Sequence, residues 1–195
     1  MPAQDDLPGL VQRWTDGDSD AFDRVVELLY DDLRTIAHHH LALERNDHTL
    51  TTTALVHEAY VELSRRTGPA WQGRSQFFAL VSKVMRHLLI DYARRRSADR
   101  RGGGEIHVLL DENKAGADAK VVELLSLDQA LDKLEARDER MARIVECRFY
   151  GGMPHSEIAD AIGVSTRTVE RDWRRARAYL LTILTAAEPS EAPLQ

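Results

Sequence analysis

Apolar residues recur at steps of three and four along most of the chain. Phe22, Val25, Val26, Leu29, Leu33, Ile36 and Leu41 form one stripe over residues 20–43. Leu55, Val56, Ala59, Tyr60 and Leu63 form a second over 52–65. Phe77, Leu80, Val81, Val84, Met85, Leu88, Leu89 and Tyr92 form a third over 75–95. That period is the signature of amphipathic helices, and no strand-like alternation competes with it, so the expected fold is all-α. The turn-rich stretch T-G-P-A-W-Q-G at 67–73 parts the second helix from the third.

The pattern then lapses. Residues 97–125 contain Gly102, Gly103 and Gly104, then a mixed stretch with no apolar face before about Val121. This predicts a flexible linker, with at most a short helical piece. Helical pattern resumes at 127–136 and 138–149, followed by a helix pair at 155–161 and 165–184. The tail from Glu188, with Pro189 and Pro193, is expected to fray. The organisation expected is thus two small helical domains, 1–96 and 126–186, joined by a linker at 97–125 and followed by a disordered tail at 187–195.

The last helix pair has the offsets of a helix-turn-helix. Ala159 permits a close crossing, Gly163 suits a left-handed turn position, and Val164 plugs the core. Ser165 or Thr166 can cap the second helix. Val169, Trp173, Ala176 and Leu180 then share one face, which leaves Arg167, Thr168, Arg171, Arg174 and Arg175 outward and Arg177 at the flank. The start of a recognition helix reaches base edges, and later arginines reach phosphates. Arg167, Thr168 and Arg171 are therefore expected near bases, and Arg174, Arg175 and Arg177 on phosphate. Glu170 can accept from a cytosine amino group or pair with Arg174. The competing reading is an amphipathic hairpin with a solvated basic face.

Charge distribution sharpens this picture. The net charge is −6, which is unpromising for a DNA binder until it is mapped along the chain. Residues 1–62 hold 4 basic and 13 acidic side chains, whereas 83–101 hold 7 basic and 2 acidic and 165–180 hold 5 basic and 2 acidic. Two basic islands sit in an acidic body, which favours phosphate contact locally and discourages it elsewhere. Around the first island, Trp71, Phe77 and Phe78 precede a helix carrying Arg86, His87, Arg94, Arg95 and Arg96. Aromatic groups beside positive charge suit single-stranded DNA. Alternatively the Phe residues are core and the arginines complement a helix C-terminus.

Other chemistry is not indicated. His38, His39 and His40 are adjacent on one helix and point in different directions, so no metal site is expected. The single Cys147 lies among Ile144, Val145 and Phe149, as a small core residue would. There is no phosphate-cradling loop, since Gly102–Gly104 lacks the Lys-Ser pair and a following helix, and no nucleophile–base–acid order. No enzyme activity and no cofactor are expected. No run approaches the roughly eighteen apolar residues of a membrane span, and MPAQDDLPGL is unlike a signal peptide. A cytoplasmic protein without membrane insertion is expected.

Two blocks of motifs carry a resemblance. E-I-A-D-A-I-G-V-S-T-R-T-V-E-R at Glu157–Arg171, with R-R-A-R at Arg174–Arg177, resembles the core of region 4 of extracytoplasmic-function (group IV) sigma factors, within Leu127–Leu184. L-V-H-E-A-Y-V-E-L at Leu55–Leu63, W-Q-G-R-S-Q-F-F-A-L at Trp71–Leu80 and R-H-L-L-I-D-Y-A-R-R-R at Arg86–Arg96 resemble region 2 of that family. Both blocks occur in the family's order across about residues 8–184. The resemblance implies a factor that directs core RNA polymerase to promoters. Its first domain would dock on the clamp of the largest subunit, through Leu55, Val56, Glu58 and Tyr60. It would also melt the minus-ten element with Trp71, Arg74, Arg86, His87, Arg94, Arg95 and Arg96. Its second domain, which meets the polymerase flap, would read the minus-thirty-five element with Ser165, Thr166, Arg167, Thr168, Glu170, Arg171, Arg174, Arg175 and Arg177. An anti-sigma factor commonly restrains such proteins. A helix-turn-helix regulator that binds operator DNA without polymerase is the alternative.

The chain departs from the family pattern at one place. An acidic D-x-E-D group usually precedes the L-V-Q-E motif, and here the positions read Thr51, Thr53 and Ala54. Phosphorylation of Thr51, Thr52 or Thr53 by a Ser/Thr protein kinase would supply about −1.5 to −2 charges where the family has carboxylates. The plainer reading is that one threonine caps the helix starting near Ala54. The tryptophan often found near Leu80 in the family is also absent.

Overall fold

The computed structural model describes residues 6–41, 51–65, 73–102 and 112–187. Among these described residues lie eight helices: α1 (Leu7–Thr15), α2 (Ser19–Leu41), α3 (Thr52–Ser64), α4 (Arg74–Gly102), α5 (Glu112–Arg137), α6 (Glu139–Phe149), α7 (His155–Ile162) and α8 (Thr166–Ala187). The all-α expectation holds, with no strand among the described residues.

Local chemistry sets the helix starts. Asp6 accepts from the Gly9 amide at 3.2 Å and caps α1, which carries a proline in its first turn. Asp18 accepts from the Asp20 and Ala21 amides at 3.0 and 3.1 Å. Asp138 caps α6 through the Met141 amide at 3.0 Å. Each bond satisfies a helix-end donor that has no partner within the helix, an effect worth about 1 kcal/mol.

Two differences from the sequence reading stand out. The helix α1 was not foreseen, because its apolar positions Leu10, Val11 and Trp14 make barely one turn of pattern. All three are buried, and Trp14 packs against Phe22 with ring centroids 4.6 Å apart. The stretch 97–125 is also more helical than a linker. Residues 97–102 continue α4, and 112–125 belong to α5; residues 103–111 lie outside the described residues, as does the tail from Glu188. Polar helices run on there without an apolar stripe to betray them.

The first three helices and α4 form one bundle, in which α2 packs on α1 and α3, and α3 on α4. Helices α5 to α8 form a second, and α4 also packs directly against α5, α6 and α7. A single core therefore runs through both halves, from Leu10 and Phe22 through Phe77, Val81 and Met85 to Leu131, Ile144, Tyr150 and Leu180. The seam is tight. Ser82 Oγ donates to the Phe78 carbonyl at 2.7 Å and lies 3.9 Å from the Met153 sulfur. Gly151 lies over it, where a Cβ would overlap Ser82 Oγ and stand 2.8 Å from the Cys147 carbonyl oxygen.

Candidate nucleic-acid interface

The helix-turn-helix forms as the residues dictate. Helix α7 ends at Gly163, whose φ of 70° is the left-handed conformation that glycine adopts without penalty. Its amide closes the helix on the Ala159 carbonyl. Of the two capping candidates, Ser165 serves: its Oγ accepts from the Thr168 amide at 3.2 Å and lies 2.9 Å from Thr168 Oγ1. Val169, Ala176 and Leu180 are buried, and Trp173 is half-buried near His155 with centroids 6.4 Å apart.

The opposite face of α8 is open. Ser165, Thr166, Arg167, Glu170, Arg171, Arg174, Arg175 and Arg177 are exposed, and Thr168 is half-buried beside its cap partner. Arg174 Nε donates to the Glu170 backbone carbonyl at 3.2 Å. Four of the five arginines (Arg167, Arg171, Arg174, Arg175) lie within nine residues, about 13 Å of helix, which is a strong local positive field at the end that a groove would meet first.

One residue of this helix was missed. Asp172 is on the inner face, with its side chain 1% exposed. It accepts from Arg140 Nε at 3.0 Å and Nη2 at 2.7 Å, and from Arg171 Nε at 3.0 Å. Enclosure alone pushes the Asp172 carboxyl up, but the hydrogen bonds and charges of Arg171 and Arg140 outweigh it and hold the carboxyl below its usual range. The position was legible in principle, since it lies three residues after Val169 and four before Ala176. Asp172 ties α6 to α8 and fixes the base of the Arg171 side chain.

The second basic surface is on α4. His87, Arg94 and Arg95 are exposed. Arg96 is half-buried, with its guanidinium 3.4 Å from Tyr92 Oη. Phe77 and Phe78 are core, and Trp71 lies outside the described residues. Arg74 is held at the other end of α4: it pairs with Asp32 at 2.6 Å and Glu157 at 3.5 Å, and its guanidinium lies 4.8 Å over the Phe78 ring.

Arg86 is placed differently from its neighbours. Its side chain is only 12% exposed, in a cleft of about 280 Å³ between α4, α5 and α6. It bonds to Asp128 at 2.8 Å and to Asp132, with Glu146 at 3.6 Å and Glu135 at 3.7 Å. Arg94 reaches the same Asp128 at 3.1 Å. Burial pushes the Glu146 carboxyl up against the pull of Arg86, Arg143 and Lys83. Burial also disfavours the Arg86 charge, but Asp128 and Asp132 more than offset this, and Arg86 stays charged.

On α3, Leu55 and Val56, expected at the polymerase contact, are packed in the core. They lie on the inner face because α3 needs them to dock on α2 and α4. Glu58 is exposed, and Tyr60 is half-buried with its hydroxyl donating to Asp23 at 2.6 Å. The large apolar side chains left exposed nearby are Val61 and, on α2, Leu28. Thr51 Oγ1 accepts from the Ala54 amide at 3.1 Å and caps α3; Thr53 is exposed and Thr52 half-buried.

Among the described residues no group of histidine, cysteine and carboxylate side chains is arranged to hold a metal ion, and no helix is long and apolar enough to cross a membrane. Comparison with protein families gives a match to the model described as ECF sigma factor, over residues 4–185. Comparison with curated proteins gives no match.

Proposed function

The chain belongs to the ECF sigma factor family and directs RNA polymerase to promoters, and on that premise we propose how its helices share the work. Such a factor is a transcription initiation factor rather than a catalyst. Helix α8 enters the major groove of the minus-thirty-five element. Arg167, Thr168 and Arg171 meet base edges there, while Arg174, Arg175 and Arg177 hold phosphates; Ser165, Thr166 and Glu170 line the same edge. The observation that carries this reading is the exposed arginine face of α8 on a helix-turn-helix whose other face buries Val169, Asp172, Ala176 and Leu180.

Helix α4 serves the minus-ten element through His87, Arg94, Arg95 and Arg96, with Trp71 before it, Arg74 at its start and Arg86 once released from its carboxylates. The clamp of polymerase meets the outer side of α2 and α3, at Glu58, Tyr60, Val61 and Leu28. Residues 1–96 and 126–186 act as the two functional halves. The protein works in the cytoplasm with polymerase.

Control by a Ser/Thr kinase is part of the proposal. Thr51 already sits at the N-cap of α3, where helix partial charge favours an anion. A phosphate on Thr51 or the exposed Thr53 restores the negative charge that most of the family carries as carboxylates. Promoter-specific transcription with purified core polymerase tests this, comparing the unmodified protein with Thr51→Glu/Thr53→Glu. Greater initiation by the acidic variant supports control by phosphate. Equal initiation by both removes that part and leaves the division of labour standing.

A further inference from the structure

Helix α8 carries two carboxylates among its arginines, and they are placed in opposite ways. Asp172 is buried and shared by Arg140 and Arg171. Glu170 is exposed, and among the described residues nothing bonds to its carboxylate. Cations are not lacking. Arg167 stands three residues before Glu170 and Arg174 four after it, on the same strip of the helix, and Arg171 is the next residue. Arg174 turns to the backbone instead: its Nε donates to the Glu170 carbonyl oxygen at 3.2 Å. The ion pair that the sequence allowed between Glu170 and Arg174 is not made, and the carboxylate is left open on the face of α8 that carries the exposed arginines.

Helix stability does not explain a carboxylate here. The first turn of α8 holds no acidic residue, and Glu170 lies just beyond it, where the pull of the helix partial charge has faded. Against DNA the charge is adverse, because every phosphate that the neighbouring arginines attract repels it. A group that opposes binding from the binding face acts through the difference it makes between sequences. An ionised carboxylate is an acceptor only. Two bases turn a donor into the major groove, cytosine through N4 and adenine through N6. Guanine O6 and N7 and thymine O4 are acceptors and repel a carboxylate. Adenine sets the acceptor N7 beside N6, whereas cytosine presents its amino group alone. The guanine paired with that cytosine offers O6 and N7 to the flanking guanidinium groups, so one C·G pair answers both signs of charge.

We propose that Glu170 is a specificity-determining residue of the minus-thirty-five contact: its carboxylate accepts from the amino group of one cytosine and rejects DNA with any other base at that position. The inference rests on the reading that α8 enters the major groove, and it names the base chemistry that this helix selects. Affinity for all sequences is lowered by phosphate repulsion, and only the cytosine-containing element recovers the loss. The arginines thus supply attraction, and Glu170 supplies the choice between sequences.

The test uses the full chain assembled with core RNA polymerase. Promoter duplexes keep one minus-ten element and vary every position of the minus-thirty-five element, and competition binding ranks them. The unmodified protein should require a C·G pair at one position, and replacing that pair should weaken binding by about tenfold. Glu170→Ala should weaken binding to the cytosine-containing duplex, tighten binding to the other three, and so flatten the preference at that position alone. Glu170→Gln should move the preference to adenine, whose N6 and N7 suit an amide. Since nothing bonds to the carboxylate, the urea midpoint of both variants should match the unmodified protein. Tighter binding of Glu170→Ala to every sequence by one common factor would overturn the proposal, because the charge would then only face phosphate. Selection unchanged in both variants would overturn it as well. The reading beneath is checked with Arg167→Ala/Arg171→Ala. If that variant also leaves minus-thirty-five selection unchanged, α8 is not the reading helix; if it alters selection while the Glu170 variants do not, only the role of Glu170 fails.

Discussion

Replacing Asp172 by alanine removes a buried carboxylate that three guanidinium N–H groups share. Taking one partner from a fully buried ion pair costs about 3–5 kcal/mol. That figure is too large here, because Arg140 and Arg171 are 47% and 55% exposed and recover water when the carboxylate goes. Charge-assisted hydrogen bonds are worth about 1.5–3 kcal/mol each before such discounting. A net loss of about 2 kcal/mol is therefore expected. With a urea m-value of about 2 kcal/mol/M, the unfolding midpoint should fall by about 1 M. The pH dependence has a definite sign. The carboxyl is held below its unfolded value, so its contribution is complete above about pH 3.9 and disappears as pH falls toward the folded pKa. The gap between wild type and variant should thus be full at neutral pH and close in acid. Function should suffer at one place in particular. Arg171 loses the anchor for its Nε, so discrimination at the base it faces should weaken by about tenfold, while non-specific duplex binding changes little. The assay pairs urea unfolding with binding to minus-thirty-five duplexes substituted at each position. Stability lost with base preference intact would show that Asp172 only ties α6 to α8; unchanged stability would refute the reasoning altogether.

Other expectations follow from the same geometry. Alanine at Arg174, Arg175 and Arg177 together should flatten the salt dependence of duplex binding, the log–log slope falling by roughly two to three, about 0.9 per lost phosphate contact, with base preference kept. Thr51→Ala should cost about 1 kcal/mol by loss of the α3 cap, whereas Thr51→Asn keeps a capping oxygen and should cost little. Combining Thr51→Asn with Thr52→Ala and Thr53→Ala then removes every candidate hydroxyl from a stable protein, and activation by a kinase should vanish in transcription assays. The Cys147 thiol, pushed up to about 11 by burial, should react with a disulfide reagent only at the rate of unfolding, and fast labelling of native protein would contradict its placement in the seam.

Much of this structure was legible because long amphipathic helices advertise themselves. The stripes that begin at Phe22, Leu55, Phe77 and Val169 supply much of the buried core, with Ile36, Tyr60, Leu80, Leu88, Tyr92 and Trp173 partly buried at its margin, and the Gly163 turn and Ser165 cap fell at their offsets. What escaped the sequence has physical reasons. Helix α1 is too short for a period to be counted. The polar ends of α4 and α5 carry no apolar face, so glycines and mixed charge read as linker. Leu55 and Val56 fit the family's motif and so read as contact residues, and their burial in the core is what their apolar character alone would give. Arg86 was grouped with its basic neighbours because sequence shows charge and not partners; its carboxylates come from 42 to 60 residues away in the chain. Asp172 was overlooked because a carboxylate on a packed face is rare unless guanidinium groups reach it.

The measurement closest to the central claim is transcription by purified core RNA polymerase from a library of the organism's own promoter fragments, with and without this protein. Initiation should be promoter-specific, depend on two elements about 25 base pairs apart, and be lost from those promoters with Arg171→Ala or with Arg94→Ala/Arg95→Ala. Specific duplex binding by the protein alone, with no initiation and no association with polymerase in either its unmodified or acidic form, would contradict it.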